Sequence, residues 1–195
     1  MLIRALGASL IVTHSVMASD SVISTIYRRD LFKGTVTIVT GGGTGIGYRI
    51  AREIAHLGGR VVLASRKKVQ LDAAVNELKK EGLGDRAQAI PCNIRDRNDV
   101  RNCIAQVIKE CGRIDYLVNN AGGQFPSFAE SISPNGWAAV IDLNLTSPFF
   151  VAQEVFNTHF KDQKRGVIVN VIANMFNGFP TMSHTGAARA GELDL

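Results

Sequence analysis

Thr35-Val36-Thr37-Ile38-Val39-Thr40-Gly41-Gly42-Gly43-Thr44-Gly45-Ile46-Gly47 decides how this chain is read. Val36 to Thr40 is a short β-branched run, the composition of a buried strand. Glycines follow it. Ile46, Ile50, Ile54 and Leu57 then recur at helical spacing, and Gly58-Gly59 stops that helix. A strand, a glycine turn and a helix in that order make a seat for phosphate. The glycines let backbone approach a pyrophosphate, and the helix start offers free N–H groups and a positive dipole end.

Outward from this stretch the pattern repeats. Arg60 to Ser65 predicts a second strand and Val69 to Lys80 a helix. Ala87 to Cys92 predicts a third strand. Asp96 to Cys111, with Val100, Ile104, Val107 and Ile108 on one face, predicts a helix that Gly112 ends. Ile114 to Asn119 reads as a fourth strand, and Val167 to Ile172 as a fifth. Asn135 to Lys161 reads as one long helix, bent where Pro148 falls. Val- and Ile-rich strands alternating with helices predict βαβ units, hence an α/β fold with a doubly wound parallel sheet. Such a sheet binds ligands at the carboxyl ends of its strands.

Composition narrows the function classes. The 195 residues, 46% of them hydrophobic, suit one α/β domain over 34–195. The net charge of +5 fits small anionic ligands and is too dispersed to predict nucleic acid. No apolar run is long enough to predict a membrane span. Cys92, Cys103 and Cys111 lack framework spacing and read as reduced thiols. His14, His56, His159 and His184 form no metal-ligand pattern, so no metal is expected. Residues 1–33 stand apart: Arg4 precedes an apolar run, and no acid appears before Asp20. A secretory signal, a mitochondrial presequence and an irregular extension compete for that segment, the unpaired thiols argue against secretion, and Met17 offers a second start.

Several motifs lie at the predicted strand ends. Thr40-Gly41-x-x-x-Gly45-x-Gly47, Asn119-Asn120-Ala121-Gly122 and Asp142-Leu143-Asn144 together resemble the short-chain dehydrogenase/reductase family. The resemblance covers residues 35–191. It implies a Rossmann-like fold, incomplete at its C-terminal end here, that binds a nicotinamide cofactor. Thr40, Gly41, Gly45, Ile46 and Gly47 would hold the pyrophosphate. Asn120, Ala121 and Gly122 would line the ribose and nicotinamide side, and Asn144 would be a structural and catalytic residue.

NAD enzymes usually carry an acid about 20 residues past the glycines, on the ribose hydroxyls. Here Ser65-Arg66-Lys67-Lys68 stands there, with no acid before Asp72. Arg66 can pair with a 2′-phosphate and Lys67 adds charge, so NADPH is expected. A solvated basic helix start is the plainer alternative. Asn93, followed by Ile94, replaces the family's Asp at the adenine contact, and its amide can still donate and accept.

The catalytic segment departs from the family, whose members usually have a Ser after the fifth strand, then a Tyr and a Lys. Here Ala173 lies near the Ser position, Thr185 stands for the Tyr and Arg189 for the Lys. Thr does not ionise usefully and Arg stays protonated, so carbonyl reduction loses its proton donor. Reduction of an enoyl thioester asks instead for hydrogen-bond donors to an enolate and a proton at the α-carbon. The segments Ala64-Ser65-Arg66-Lys67, Cys92-Asn93-Ile94-Arg95, Gly122-Gly123-Gln124-Phe125 and His184 to Gly191 resemble the peroxisomal trans-2-enoyl-CoA reductases of that family, with 2,4-dienoyl-CoA reductases close by. That resemblance implies NADPH-dependent reduction of a fatty enoyl-CoA, a peroxisomal location and a homo-oligomer when full length. His184 is either a donor to the thioester oxygen or a histidine packed at a helix start. Gln124 and Phe125 either line the acyl pocket or form a loop over the sheet.

The ending Gly191-Glu192-Leu193-Asp194-Leu195 departs from these reductases, which carry an apolar residue and a Tyr at Glu192 and Leu193. It predicts a last helix of about two turns and an open edge at the fifth strand. It also does not match the Ser-Lys-Leu peroxisomal address, which leaves mitochondrion and cytoplasm as alternatives. A carbonyl reductase of the same fold and a non-catalytic NADPH-binding form are the competing functions.

Overall fold

A computed structural model describes residues 26–174 and 178–193. The targeting readings of residues 1–33 fall largely on residues 1–25, outside the described residues. Five strands form one sheet: β1 (Val36–Thr40), β2 (Arg60–Ser65), β3 (Ala87–Pro91), β4 (Tyr116–Asn119) and β5 (Val167–Asn170). All neighbours are parallel, in the order β3-β2-β1-β4-β5. The order reverses direction between β1 and β4, which opens a crevice at their carboxyl ends.

Helices cover both faces. α1 (Gly45–His56) and α2 (Lys68–Lys80) cover one side, and α3 (Arg97–Cys111) packs on the other. Strand side chains alternate between the two cores. Val39, Val61 and Leu63 join Ala51, Ala55, Leu71 and Leu78, while Ile38, Val62 and Leu117 join Val100, Ile104 and Val107. Val36 to Thr40 is buried at every position, as a central parallel strand requires. Asp96 caps α3, accepting the N–H groups of Asn98 at 2.8 Å and Asp99 at 3.2 Å.

Two expected strand boundaries move by two residues. β4 starts at Tyr116 rather than Ile114, because Asp115 is spent on β1: its N–H donates to Val36 O and its carboxylate accepts the Val36 N–H. β5 ends at Asn170 rather than Ile172, although the Val171 N–H still donates to Asn119 O at 2.8 Å.

The expected long helix, α4, is continuous but not uniform. It runs through Pro134–Ile141, a π-helical turn at Asp142–Thr146, Ser147–Val155, a second π-helical turn at Phe156–Phe160, and Lys161–Gln163. The first wide turn lies just before Pro148, whose missing N–H removes one ladder bond. α5 (Ser183–Glu192) is ten residues, longer than the two turns expected. β5 is the open edge that the sequence predicts. Val167, Ile168 and Val169 stay 49%, 38% and 48% exposed.

Candidate active site

Thr40 stitches the crevice together. Its hydroxyl donates to Val118 O at 3.3 Å and accepts the N–H groups of Asn120 and Ala121, each at 3.0 Å. The Asn120 amide donates to Thr40 O at 2.9 Å. The end of β1 and the turn after β4 therefore move as one unit. Gly47 keeps α1 close to that unit: a Cβ there would overlap the Asn120 amide and lie 2.5 Å from Gly41 O.

Above this unit lies a cavity of about 350 Å³. Every residue expected to hold cofactor lines it except Thr40, Gly47 and Lys67. Thr40 and Gly47 shape the floor instead, and Lys67 stands exposed at the N-cap of α2. Gly41, Gly45 and Ile46 form one wall and Asn120, Ala121 and Gly122 another. Thr44, the N-cap of α1, makes no side-chain capping bond, so the helix start presents its N–H groups to the cavity.

At the far end stand Ser65, Arg66, Asn93 and Ile94. Among the described residues no acid lines the cavity and Arg66 has no ion pair. Asn93 Oδ1 accepts the Arg95 N–H at 3.3 Å, which leaves its amide donor for a ligand. Cys92 also lines this end. Its hydrogen bond with Cys103 lowers the Cys92 thiol pKa against the opposing pull of burial, and the same bond raises that of Cys103.

A second cavity of about 350 Å³ adjoins the first through Ile46, Asn120 and Gly122. Gln124, Ala173 and Arg189 also line it, with Gly123, Val171 and Ile172. Ala173, near the family's Ser position, presents no hydroxyl. Asn144 is fully buried in the first π-helical turn. Its amide donates to Gly123 O at 2.7 Å and Val140 O at 2.9 Å, and its oxygen accepts the Gly123 N–H at 3.1 Å. Asn144 thus holds the turn after β4. A Cβ at Gly122 would overlap the Arg189 guanidinium and sit 2.7 Å from Asn144 Oδ1.

His184 and Thr185 are brought near but line neither cavity. Both are fully buried. Phe125 packs edge-on against the His184 ring at 4.6 Å, and His184 Nδ1 accepts the Thr185 N–H at 3.0 Å. The Thr185 hydroxyl and His184 Nε2 find no partner among the described residues. No tyrosine lines either cavity. Tyr48 sits on α1, Tyr116 packs against Phe32 at the opposite end of the sheet, and Tyr27 is exposed.

Sequence reasoning missed Glu192. It is buried to 1% exposure and ion-paired with Arg189, itself 8% exposed. Burial raises the Glu192 carboxyl pKa, and Arg189 offsets part of that rise. The available signal was opposite charges three residues apart on one helix.

The sequence profile of the short chain dehydrogenases matches residues 35–194. The chain is 36% identical over 160 residues to a probable 2,4-dienoyl-CoA reductase of Bacillus subtilis, covering 81% of this chain and 62% of that one. It is 33% identical over 166 residues to a peroxisomal 2,4-dienoyl-CoA reductase of Danio rerio, covering 85% and 55%. A 3-oxoacyl-[acyl-carrier-protein] reductase of Thermotoga maritima matches at 33% identity, with 84% and 65% covered. Among solved structures, a citronellol catabolism dehydrogenase of Pseudomonas aeruginosa superposes with a TM-score of 0.82 at 43% identity, covering 87% of this chain and 68% of that one. The chain thus spans less than two thirds of the length of these three curated relatives.

Proposed function

Because the chain belongs to the short-chain dehydrogenase family, we propose that it is an oxidoreductase that uses NADPH to reduce the α,β double bond of a trans-2-enoyl-CoA in fatty acid metabolism. The cofactor reading is supported by Arg66 at the end of a cavity without acids, where a 2′-phosphate would find a free guanidinium. The glycine turn and the uncapped start of α1 would take the pyrophosphate, and the Asn93 amide would meet the adenine ring. When bound, the nicotinamide supplies the hydride. Arg189 beside Gly122 would donate to the ribose or to the thioester oxygen, and Asn144 would keep the Gly122-Gly123 turn in register.

One observation carries the choice of a C=C bond over a carbonyl: the cavity beside Gly122 holds no ionisable hydroxyl. Thr185 is buried away from it and the Ala173 side chain has no oxygen. A ketone oxygen would therefore meet no acid of matched pKa, whereas an enolate oxygen needs only hydrogen-bond donors, the α-carbon then taking its proton from water. The names of the dienoyl-CoA reductases above support an acyl-CoA substrate, and the Danio rerio name supports a peroxisomal setting. The likeness to a 3-oxoacyl reductase favours a carbonyl reductase as the second reading.

The test is NADPH oxidation with crotonyl-CoA, a longer trans-2-enoyl-CoA and acetoacetyl-CoA. Turnover of the enoyl thioesters is expected. Turnover of acetoacetyl-CoA alone would establish the second reading, and NADPH binding without any turnover would establish the non-catalytic form.

A further inference from the structure

Arg189 and Glu192 form a buried ion pair beside the cleft. Burying two charges carries a desolvation cost that only close geometry and further hydrogen bonds offset, so the pair's geometry matters more than its presence. Glu192 engages the guanidinium through Nη1, while Nη2 lies against Gly122, so closely that a methyl group there would not fit. The guanidinium is a rigid planar fork, so fixing one nitrogen orients the other. Glu192 is itself held: its backbone carbonyl accepts the Asn170 amide at 3.5 Å, and Asn170 Oδ1 accepts the Asn119 amide at 3.0 Å. The support for Arg189 thus runs back to the carboxyl ends of β4 and β5.

We infer that Glu192 is a positioning residue for the nicotinamide half of the site: it holds the Arg189 fork flat against the Gly122 turn, with Nη2 at the cleft wall. This rests on the NADPH reading above. It separates Glu192 from a residue that merely neutralises a buried charge, because positioning acts on one half of the cofactor only. Arg66 and Asn93, which serve the adenine half, lie at the other end of the first cavity.

The test compares Kd for NADPH with Kd for 2′,5′-ADP, which carries the adenine half and lacks the nicotinamide. Glu192→Gln is expected to raise Kd for NADPH about tenfold, the loss of one charge-assisted contact, and to leave Kd for 2′,5′-ADP within about twofold. In an Arg189→Met background, Glu192→Gln should add nothing, since no fork remains to be held. Equal weakening of both ligands, or of neither, would overturn the inference. A wild-type chain that binds neither ligand would instead remove the NADPH reading itself. Should Glu192→Gln not fold, the wild-type protein still decides. The Arg189 Nε–Hε resonance, assigned with Arg189→Lys, should shift on adding NADPH and stay fixed on adding 2′,5′-ADP. An unmoved resonance with NADPH bound excludes the role.

Discussion

Thr40 and Asn120, eighty residues apart, hold each other twice: the Thr40 hydroxyl accepts the Asn120 N–H at 3.0 Å, and the Asn120 amide donates to the Thr40 carbonyl at 2.9 Å. These two bonds, both donated by Asn120, join the two strands whose ends form the crevice. Thr40→Val keeps the shape and removes the acceptor of two backbone N–H groups. It should cost about 1–3 kcal/mol, the penalty for leaving such donors unmet. Urea unfolding measures the loss, and NADPH titration should show weakened binding as well.

Gly45 and Gly47 should respond differently to the same change. A methyl at Gly47 meets the Asn120 amide and the Gly41 backbone, so Gly47→Ala should destabilise by about 1–3 kcal/mol through overpacking. Gly45 has φ +56 and open space where its Cβ would go. Gly45→Ala should therefore cost only about 1–2 kcal/mol of backbone strain, while its methyl intrudes where the pyrophosphate would lie. Unfolding midpoints should rank Gly47→Ala as the less stable variant. NADPH titration should show weakened binding by Gly45→Ala even where it is fully folded.

Arg66 should discriminate between cofactors. Arg66→Ala is expected to weaken NADPH by about 1.5–3 kcal/mol, the worth of a charged hydrogen bond, and to leave NADH nearly unchanged. Fluorescence titrations with both cofactors check this. Equal losses would remove Arg66 from the 2′-phosphate.

Glu81 should shape the acid side of the stability curve. Burial pulls its carboxyl pKa up, but hydrogen bonds from Arg52, at 2.9 Å to each oxygen, and from His56 at 2.7 Å outweigh it and hold the value below normal. A depressed carboxyl pKa stabilises the fold above the unfolded value near 4.5 and loses that contribution as pH falls through the folded value. Glu81→Gln should therefore be less stable than wild type at pH 7 and flatten the decline below about pH 5. Urea midpoints at neutral and acid pH measure both effects.

The strands and the glycine turn were legible in the sequence because each is a local matter. β-branched runs, helical spacing and glycines between them constrain the chain within a few residues, and βαβ alternation leaves few topologies. Most of the residues lining the first cavity were legible for the same reason, since they sit at strand ends that the topology brings together; Thr44, Ala64, Cys92 and Leu143 were not. By itself the sequence determined the parallel sheet, the place of the crevice and the basic residue at its far end. Only the tertiary structure decided which side of each helix faces that crevice. His184 and Thr185 lie at expected motif positions, yet α5 turns both into the interior behind Phe125. Glu192 looked like a mere departure from family pattern until α5 packed against the start of α4, residues 134–146, and buried it against Arg189. Side-chain direction on a short helix depends on what the helix packs against, and here that partner, residues 134–146, lies beyond the fifth strand in sequence.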